Sequence, residues 1–222
     1  KYVPLVDYSN SRGAIDMGLV PELLPGYRPS GEPGLTLPEM LAAPDLDVLW
    51  VVGANPLKNG RTLASGSAFV VVQDMFLTET AQRADVVLPA ASAYEKSGTV
   101  TSVCGEVQRL KRAMQKPGTK ADLEIFGLIA RAMGLDLKAL GRWSPEAVWA
   151  EIHSSVPGYA VPAHELAAGT ALTRPPAERT GVEPRPELIE SAGDTLFTSG
   201  TLGRYSNTLN AVLERTRGLY EG

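Results

Sequence analysis

The chain has 222 residues, of which 44% are hydrophobic and 21% are charged, and its formal net charge is -4. This composition supports a folded core and excludes a largely disordered chain, while the negative charge argues against a surface for nucleic acid. A single cysteine excludes an internal disulfide and a cysteine-clustered metal site within these residues, and no apolar run approaches the roughly 20 residues of a membrane helix.

Three short apolar runs predict buried strands, and valine is the commonest residue in each. They occupy residues 47–53, 68–72 and 85–88. Each run is continuous rather than alternating, which is typical of strands covered on both faces of a parallel sheet. Brief helices are predicted at residues 39–43, 61–66 and 79–83. Strands separated by short helices predict an α/β fold with a doubly wound parallel sheet.

The third strand stops at Pro89 and leads into a polar loop, in which Gly98 predicts a forced turn. Open α/β sheets bind ligands at the carboxyl ends of their strands, and this loop begins at such an end. The first two strands also end in polar residues, with Asn55 after the first and Asp74 after the second. We therefore expect any ligand site along this edge of the sheet.

Two helices are predicted beyond the sheet. The first begins near residue 121, carries Leu123, Phe126, Ile129, Ala130 and Met133 on one face, and ends at Gly134. The second begins at Ser144 as N-cap with Pro145 at its first position.

This pattern divides the chain into four predicted regions. They are a sheet domain at 1–135, a helical extension at 136–156, a proline-rich connector at 157–190 and the remnant of a further domain at 191–222. In the last region a strand is predicted near 195–205 and a helix near 207–217. Because the chain opens on Lys1 and shows no signal peptide, we expect a cytoplasmic fragment of a longer polypeptide.

Several motifs resemble the molybdopterin oxidoreductase superfamily in order and spacing. They are GANP at 53–56, QDMFLTETA at 73–81, ADVVLP at 84–89 and EKSGT at 95–99, preceded by NSRGAIDMG at 10–18 and LPGY at 24–27. The resemblance covers about residues 8–135. It implies a Rossmann-like domain that holds half of a molybdopterin guanine dinucleotide in active relatives. The cofactor-binding positions it suggests are Gly53, Asn55, Asp74, Thr78 and Gly98.

Within the superfamily the chain most resembles the carboxyl-terminal part of the large iron–sulfur subunit of bacterial NADH:quinone oxidoreductase, respiratory complex I. That resemblance implies no cofactor and no active site in this fragment, with iron–sulfur clusters in the part that precedes it. The implied partners are other peripheral-arm subunits and the chain's own iron–sulfur domains. No nucleic acid and no membrane insertion are expected, and the protein would be peripheral to the inner membrane through its complex.

The loop after Gly98 departs from the superfamily pattern. Where relatives carry asparagine, glutamate and arginine, this chain has Ser102, Cys104 and Glu106. If the loop faces a pyrophosphate, Glu106 replaces attraction by repulsion of roughly 4 kcal/mol at about 4 Å and an effective dielectric near 20. We therefore expect that cofactor binding is lost and that the suggested cofactor-binding positions are vestigial.

Each of these positions also has a structural explanation. Gly53 and Asn55 suit a tight turn after a strand as well as a nucleotide contact. Asp74 could accept a hydrogen bond from guanine or ribose, or cap the backbone near it. Thr78 and Thr80 could contact phosphate at a helix start, but we favour N-caps.

Two adjacent charged residues, Glu95 and Lys96, could form an acid–base pair. Neighbours in sequence tend to point apart, so we expect them to make structural contacts. The sequence thus favours a non-catalytic scaffold domain. The alternative is the cofactor-binding domain of an active molybdenum oxidoreductase such as a formate dehydrogenase.

Overall fold

The computed structural model describes residues 8–135, 144–161, 166 and 170–171. All of them belong to one unit that spans residues 1–172. The helices are α1 Ser11–Asp16, α2 Leu37–Ala42, α3 Asp122–Ala132 and α4 Pro145–Ser155. The strands are β1 Leu23–Leu24, β2 Arg28–Pro29, β3 Val48–Val52, β4 Phe69–Asp74, β5 Val86–Pro89, β6 Gly98–Thr101, β7 Glu106–Leu110 and β8 Thr170–Ala171.

The central sheet is parallel, with β4 between β3 and β5. Val48 lies beside Phe69, and Val71 lies beside Val86, so side chains at paired positions share a face of the sheet. The predicted α/β class with a parallel sheet is therefore confirmed. The three predicted strands are each present within two residues of their expected bounds.

One face of this sheet is covered over β3 and β4, whereas the other face is largely open. Leu49, Val51, Val70 and Val72 are at most 7% exposed and pack with Ala81. The opposite face leaves several apolar side chains at least one-third exposed, namely Val48, Trp50, Val52, Phe69 and Val86. The expectation that these strands are buried on both faces is thus wrong. The reason lies in the sequential strand order, since right-handed crossovers between successive neighbours place both connections on the same face.

The connections themselves are shorter than the sequence suggested. The predicted helix at 61–66 is absent, and a 3-10 helix at Lys58–Gly60 precedes it. The helix predicted at 79–83 is a 3-10 helix at Ala81–Arg83. The helix predicted at 39–43 is present as α2, where Thr36 and Glu39 form a capping box.

A second, antiparallel sheet of β6, β7 and β8 was not predicted. Gly98 begins β6, so the forced turn expected at this residue is wrong. The sheet packs on α4 through a core of Val107, Trp149, Val156, Tyr159 and Leu166. The ADVVLP and EKSGT motifs therefore reach different sheets, the first on β5 and the second at the start of β6.

The helix termini agree with the sequence. Gly134 follows α3 with φ +73°, as expected for a glycine that ends a helix. The Ser144 side chain accepts a hydrogen bond from the Ala147 backbone N–H, which confirms it as the N-cap of α4. On α3, Ala130 is buried as predicted, whereas Met133 is 70% exposed and Ile125 takes a core position.

Most of the predicted connector, together with the strand and helix predicted at 195–205 and 207–217, falls outside the described residues. No helix in the described ranges combines the length and the apolar character needed to cross a membrane.

Candidate functional site

The first strand end is a turn that requires glycine. Gly53 has φ +59°, which side chains rarely adopt, and its backbone N–H donates to the Gln73 carbonyl at 2.8 Å. A Cβ at Gly53 would meet nothing within 4 Å. The turn therefore depends on backbone freedom, and the space beside it is open.

Asn55 fastens this turn to the segment after β4. Its side-chain N–H₂ donates to Glu79 at 2.6 Å, and its oxygen accepts from the Thr80 hydroxyl at 2.7 Å and from the Thr80 backbone N–H at 3.2 Å. Thr80 is fully buried and also accepts from the Leu57 N–H. Both ends of the Asn55 amide are thus engaged inside the fold.

Thr78 acts as a cap. Its side chain is fully buried, and its hydroxyl accepts from the Ala81 backbone N–H at 3.2 Å, at the start of the 3-10 helix Ala81–Arg83. The preferred interpretation of Thr78 as a cap is confirmed. Thr80 makes no side-chain cap bond and instead holds Asn55.

Asp74 ends β4 with an unpaired oxygen. The residue is 5% exposed, and its Oδ1 accepts from the Phe76 N–H at 3.0 Å, whereas Oδ2 has no donor among the described residues. Burial raises the pKa of the Asp74 carboxyl. A buried acceptor without a donor is costly and suits a ligand that presents an N–H.

Gln73 extends this polar cluster on the other face of β4. It is fully buried, donates to Asp122 at 2.7 Å, and leaves its Oε1 without a donor among the described residues. Asp122 also forms a salt bridge with Lys96. The cluster was not recognised from sequence, because Asp122 stands 49 positions after Gln73.

Replacing Asp74 with asparagine is expected to stabilise the fold at neutral pH by about 1 kcal/mol. The pKa of Asp74 is raised in the folded chain, so the ionised carboxylate destabilises the fold. This loss of stability begins as the pH rises through the ordinary pKa of 3.8 and is complete above the raised pKa. The gain should therefore vanish at a pH below 3.8. Urea unfolding at both pH values measures it, with exposed Asp45→Asn as control. A loss of stability at neutral pH would contradict this assignment.

Glu95 and Lys96 point to different partners, as expected. The Glu95 carboxylate accepts from the Ser92 N–H at 2.9 Å, the Ser92 hydroxyl at 2.8 Å and the Thr119 hydroxyl at 2.8 Å. Lys96 pairs with Asp122 instead. An acid–base pair of these neighbours is therefore not formed.

The Glu95 contacts predict an acid-sensitive fold. Hydrogen bonds from the Ser92 N–H and hydroxyl, followed by that from Thr119, lower the pKa of Glu95 to about 2. These hydrogen bonds stabilise the folded chain at a pH above the ordinary pKa of 4.5, and this stabilisation is lost as the pH falls from 4.5 towards 2. We expect Glu95→Gln to flatten the stability profile in this window, measured as thermal midpoint against pH. An unchanged slope relative to wild type would rule out this role.

A cavity of about 650 Å³ lies between α1, β6, the start of α3 and α4. Lys96, Gly98 and Asp122 line it together with Asn10, and Trp149 contributes its aromatic surface. Of the five suggested cofactor-binding positions, only Gly98 borders this cavity. Gly53, Asn55, Asp74 and Thr78 lie along the strand ends of the parallel sheet and its connections.

A buried carboxylate that sequence reasoning missed fastens α1 to the residues after α4. Asp16 is 3% exposed and accepts from the Tyr159 hydroxyl at 2.7 Å and from the Tyr27 hydroxyl. Arg12 approaches the same carboxylate at 3.5 Å, and Thr101 lies 2.9 Å from the Tyr159 oxygen. Burial, reinforced by the neighbouring Asp16, raises the pKa of Tyr159. These contacts, which we call the Asp16 clasp, close one end of the cavity.

The three departures from the superfamily pattern lie around the β6–β7 turn. Cys104 and Glu106 are exposed, and neither borders the cavity. Between them, Gly105 has φ +89°, and a Cβ there would come within 2.4 Å of the Arg12 guanidinium. Over the described part of the chain, no three His, Cys, Asp or Glu side chains gather to hold a metal ion.

A family model for molybdopterin oxidoreductases matches residues 27–132. The chain contains a molybdopterin oxidoreductase domain. The matched residues run from just before β2 to the end of α3, and they include all five suggested cofactor-binding positions. The expected superfamily is confirmed at this level.

Relatives of three kinds resemble the chain. It is 37% identical to the F420-dependent formate dehydrogenase 2 subunit alpha of Methanococcus maripaludis over 71% of its length, and 34% identical to a subunit of the NADH-quinone oxidoreductase of Rhizobium meliloti over 95%. It is 28% identical to the NADPH-Fe(3+) oxidoreductase subunit alpha of Geobacter sulfurreducens over 94%. The matches cover 27%, 29% and 28% of those proteins, so the chain spans less than a third of each.

Proposed function

We propose that this molybdopterin oxidoreductase domain is a non-catalytic scaffold within the large iron–sulfur subunit of an NADH:quinone oxidoreductase. The observation that carries the proposal is the internal use of Asn55, Thr78 and Thr80. Each of these polar side chains hydrogen bonds to another part of the same fold, and both threonines are fully buried. They hold the connections of the parallel sheet in place.

These residues do not fit the phosphates of a dinucleotide. A phosphate would have to displace the Asn55–Thr80 and Thr78–Ala81 bonds, which would leave buried polar groups unpaired. The similarity to the Rhizobium meliloti NADH-quinone oxidoreductase subunit, at 34% identity over 95% of the chain, supports the same proposal, because it exceeds the 28% identity to the Geobacter sulfurreducens protein over a comparable 94%.

In this role the domain packs against the iron–sulfur domains of its own full-length chain and against neighbouring peripheral-arm subunits. Electrons from NADH to quinone pass through those iron–sulfur domains. The present domain keeps the iron–sulfur domains in position. The complex holds the protein on the cytoplasmic side of the inner membrane.

A second candidate is a dinucleotide-binding domain of an active molybdenum oxidoreductase such as a formate dehydrogenase. It is favoured by the buried Asp74 Oδ2 at the end of β4, which has no donor among the described residues and would accept from the N–H edge of a guanine. A bound molybdopterin guanine dinucleotide supplies a redox-active metal centre. In that case Asp74 would bind and orient the base.

Metal analysis of the full-length natural polypeptide, purified without refolding, distinguishes the non-catalytic scaffold from the dinucleotide-binding domain. Iron without molybdenum or tungsten is the result expected for the scaffold. Stoichiometric molybdenum or tungsten would overturn it and favour the second candidate. Asp74→Asn in the same polypeptide is the matched variant, because it should lower the molybdenum content only if Asp74 contacts the cofactor.

A further inference from the structure

A basic segment leaves the second sheet at the end of β7. Residues 109–116 contain four of the chain's 21 lysine and arginine residues and no acidic residue, although the whole chain carries a net charge of -4. Arg109, Lys111, Arg112 and Lys116 are all exposed. None of them forms a salt bridge among the residues that the structure describes. Their charges are therefore available to carboxylates from another molecule.

Hydrogen bonds to the residues before β6 fix the position of this segment. The N–H groups of Ala113 and Met114 donate to the Tyr94 carbonyl at 2.8 and 3.1 Å. The Lys116 N–H donates to the Glu95 carboxylate at 2.9 Å, so this carboxylate anchors the backbone of the segment. The cations are thus carried on a fixed part of the fold, and a partner loses less entropy in ordering them.

Two large apolar side chains accompany the cations. Met114 is 56% exposed and Tyr94 is 63% exposed, and the hydrogen bond between their backbones makes them neighbours. Methionine, tyrosine and arginine are all enriched at protein–protein interfaces. We call Tyr94, Met114 and the four exposed cations the basic patch. Its combination of apolar area and unpaired charge is typical of a surface that binds another protein.

The positive charge of the basic patch is strongest at its two lysines. Glu146 lines a small cavity together with Arg109, and it lines the larger cavity together with Arg112. That carboxylate offsets part of the positive charge of the two arginines. Lys111 and Lys116 line neither cavity, so their charge is the part that remains for a partner.

We propose that the basic patch binds an acidic segment of another polypeptide chain, with an apolar side chain of that segment resting on Tyr94 and Met114. Charge complementarity selects this partner, because unpaired cations attract carboxylates and steer their approach. Each exposed ion pair contributes little, so the contact is reversible and sensitive to salt. The patch needs no cover from its own chain, since hydrated cations are stable at a surface and burial of unpaired ones is costly. This inference does not depend on which proposed function is correct.

Acetylation of lysines in the full-length natural polypeptide, monomeric by light scattering and read by mass spectrometry, tests whether the basic patch is free. Lys111 and Lys116 should react in the folded monomer at about the rate measured in the urea-unfolded chain, because exposed amines stay in contact with water. Protection of both lysines in the monomer would overturn the proposal, since residues of the same chain would then cover the patch.

Binding of a fluorescein-labelled, glutamate-rich peptide with a central tryptophan tests the charge requirement in the same polypeptide. The variant Lys111→Glu/Lys116→Glu should bind the peptide about tenfold more weakly than the wild type. Arg61→Glu/Arg83→Glu is the matched control, because it changes the net charge equally at exposed arginines outside the patch, and it should leave the affinity nearly unchanged. Equal losses in the two variants would overturn the proposal. Binding to phosphatidylglycerol vesicles without binding to the peptide would overturn it in favour of a membrane surface.

The variant Tyr94→Ala/Met114→Ala tests the apolar contact. It should bind the tryptophan peptide about fivefold more weakly than the wild type, and it should bind the same peptide with glycine in place of tryptophan as well as the wild type does. Both side chains are more than half exposed, so the fold tolerates their truncation, and exposed Leu19→Ala is the control. An equal loss for both peptides, or no loss for either, would overturn the proposal.

Discussion

Val72→Asp is expected to abolish folding, whereas Val87→Asp leaves a folded protein. Val72 is fully buried in the centre of the parallel sheet, and its neighbour Val87 on β5 is 40% exposed on the same face. An unpaired charge at Val72 costs several kcal/mol, which is comparable to the total stability of about 5–15 kcal/mol for a domain. At Val87 the carboxylate reaches water, so we expect a loss of about 1 kcal/mol or less. Circular dichroism and urea unfolding of both variants measure the difference.

The two valines form a matched pair, because the substitution, the sheet and the face are the same. Equal destabilisation of both variants would show that Val87 is buried, as the continuous valine run predicts. A folded Val72→Asp variant would contradict the placement of β4 in the core.

Asp16→Ala is expected to destabilise the protein by about 3–5 kcal/mol, the usual result of removing one partner from a buried charged pair. The substitution leaves Arg12 and the hydroxyls of Tyr27 and Tyr159 without the carboxylate that joins them. Tyr159→Phe removes only one hydroxyl and should cost about 1–2 kcal/mol. Denaturant unfolding of the three proteins measures both values.

Exposed Asp45→Ala serves as the control and should stay within about 0.5 kcal/mol of the wild type. An Asp16→Ala loss no larger than this control would mean that the Asp16 clasp contributes nothing measurable. A loss in Tyr159→Phe equal to that in Asp16→Ala would show that the Tyr159 hydroxyl alone supplies the stabilisation.

Much of the fold could be predicted because its signals are local. The valine-rich runs became β3, β4 and β5, and Ser144 and Gly134 mark helix ends through their own backbone preferences. Burial on both faces could not be predicted in the same way. Which face is covered depends on the order of the strands, and a continuous apolar run carries no information about that order.

The second sheet and the clasp were missed for related reasons. The residues of β6 and β7 are mostly polar, and strand propensity depends strongly on what a strand packs against. The Asp16–Tyr159 hydrogen bond joins residues 143 positions apart, so no local sequence pattern predicts it. By contrast, the cap role of Thr78 followed from its position before a short helix.

The long separation of Asp16 and Tyr159 also bears on how the chain is made. A growing chain emerges from the ribosome with its amino end first, and Asp16 must wait for 143 further residues before Tyr159 can reach it. Until then the first helix lacks one of the hydroxyls that hold its carboxylate. The amino-terminal segment thus gains its final stability only when α4 and the residues after it have been synthesised.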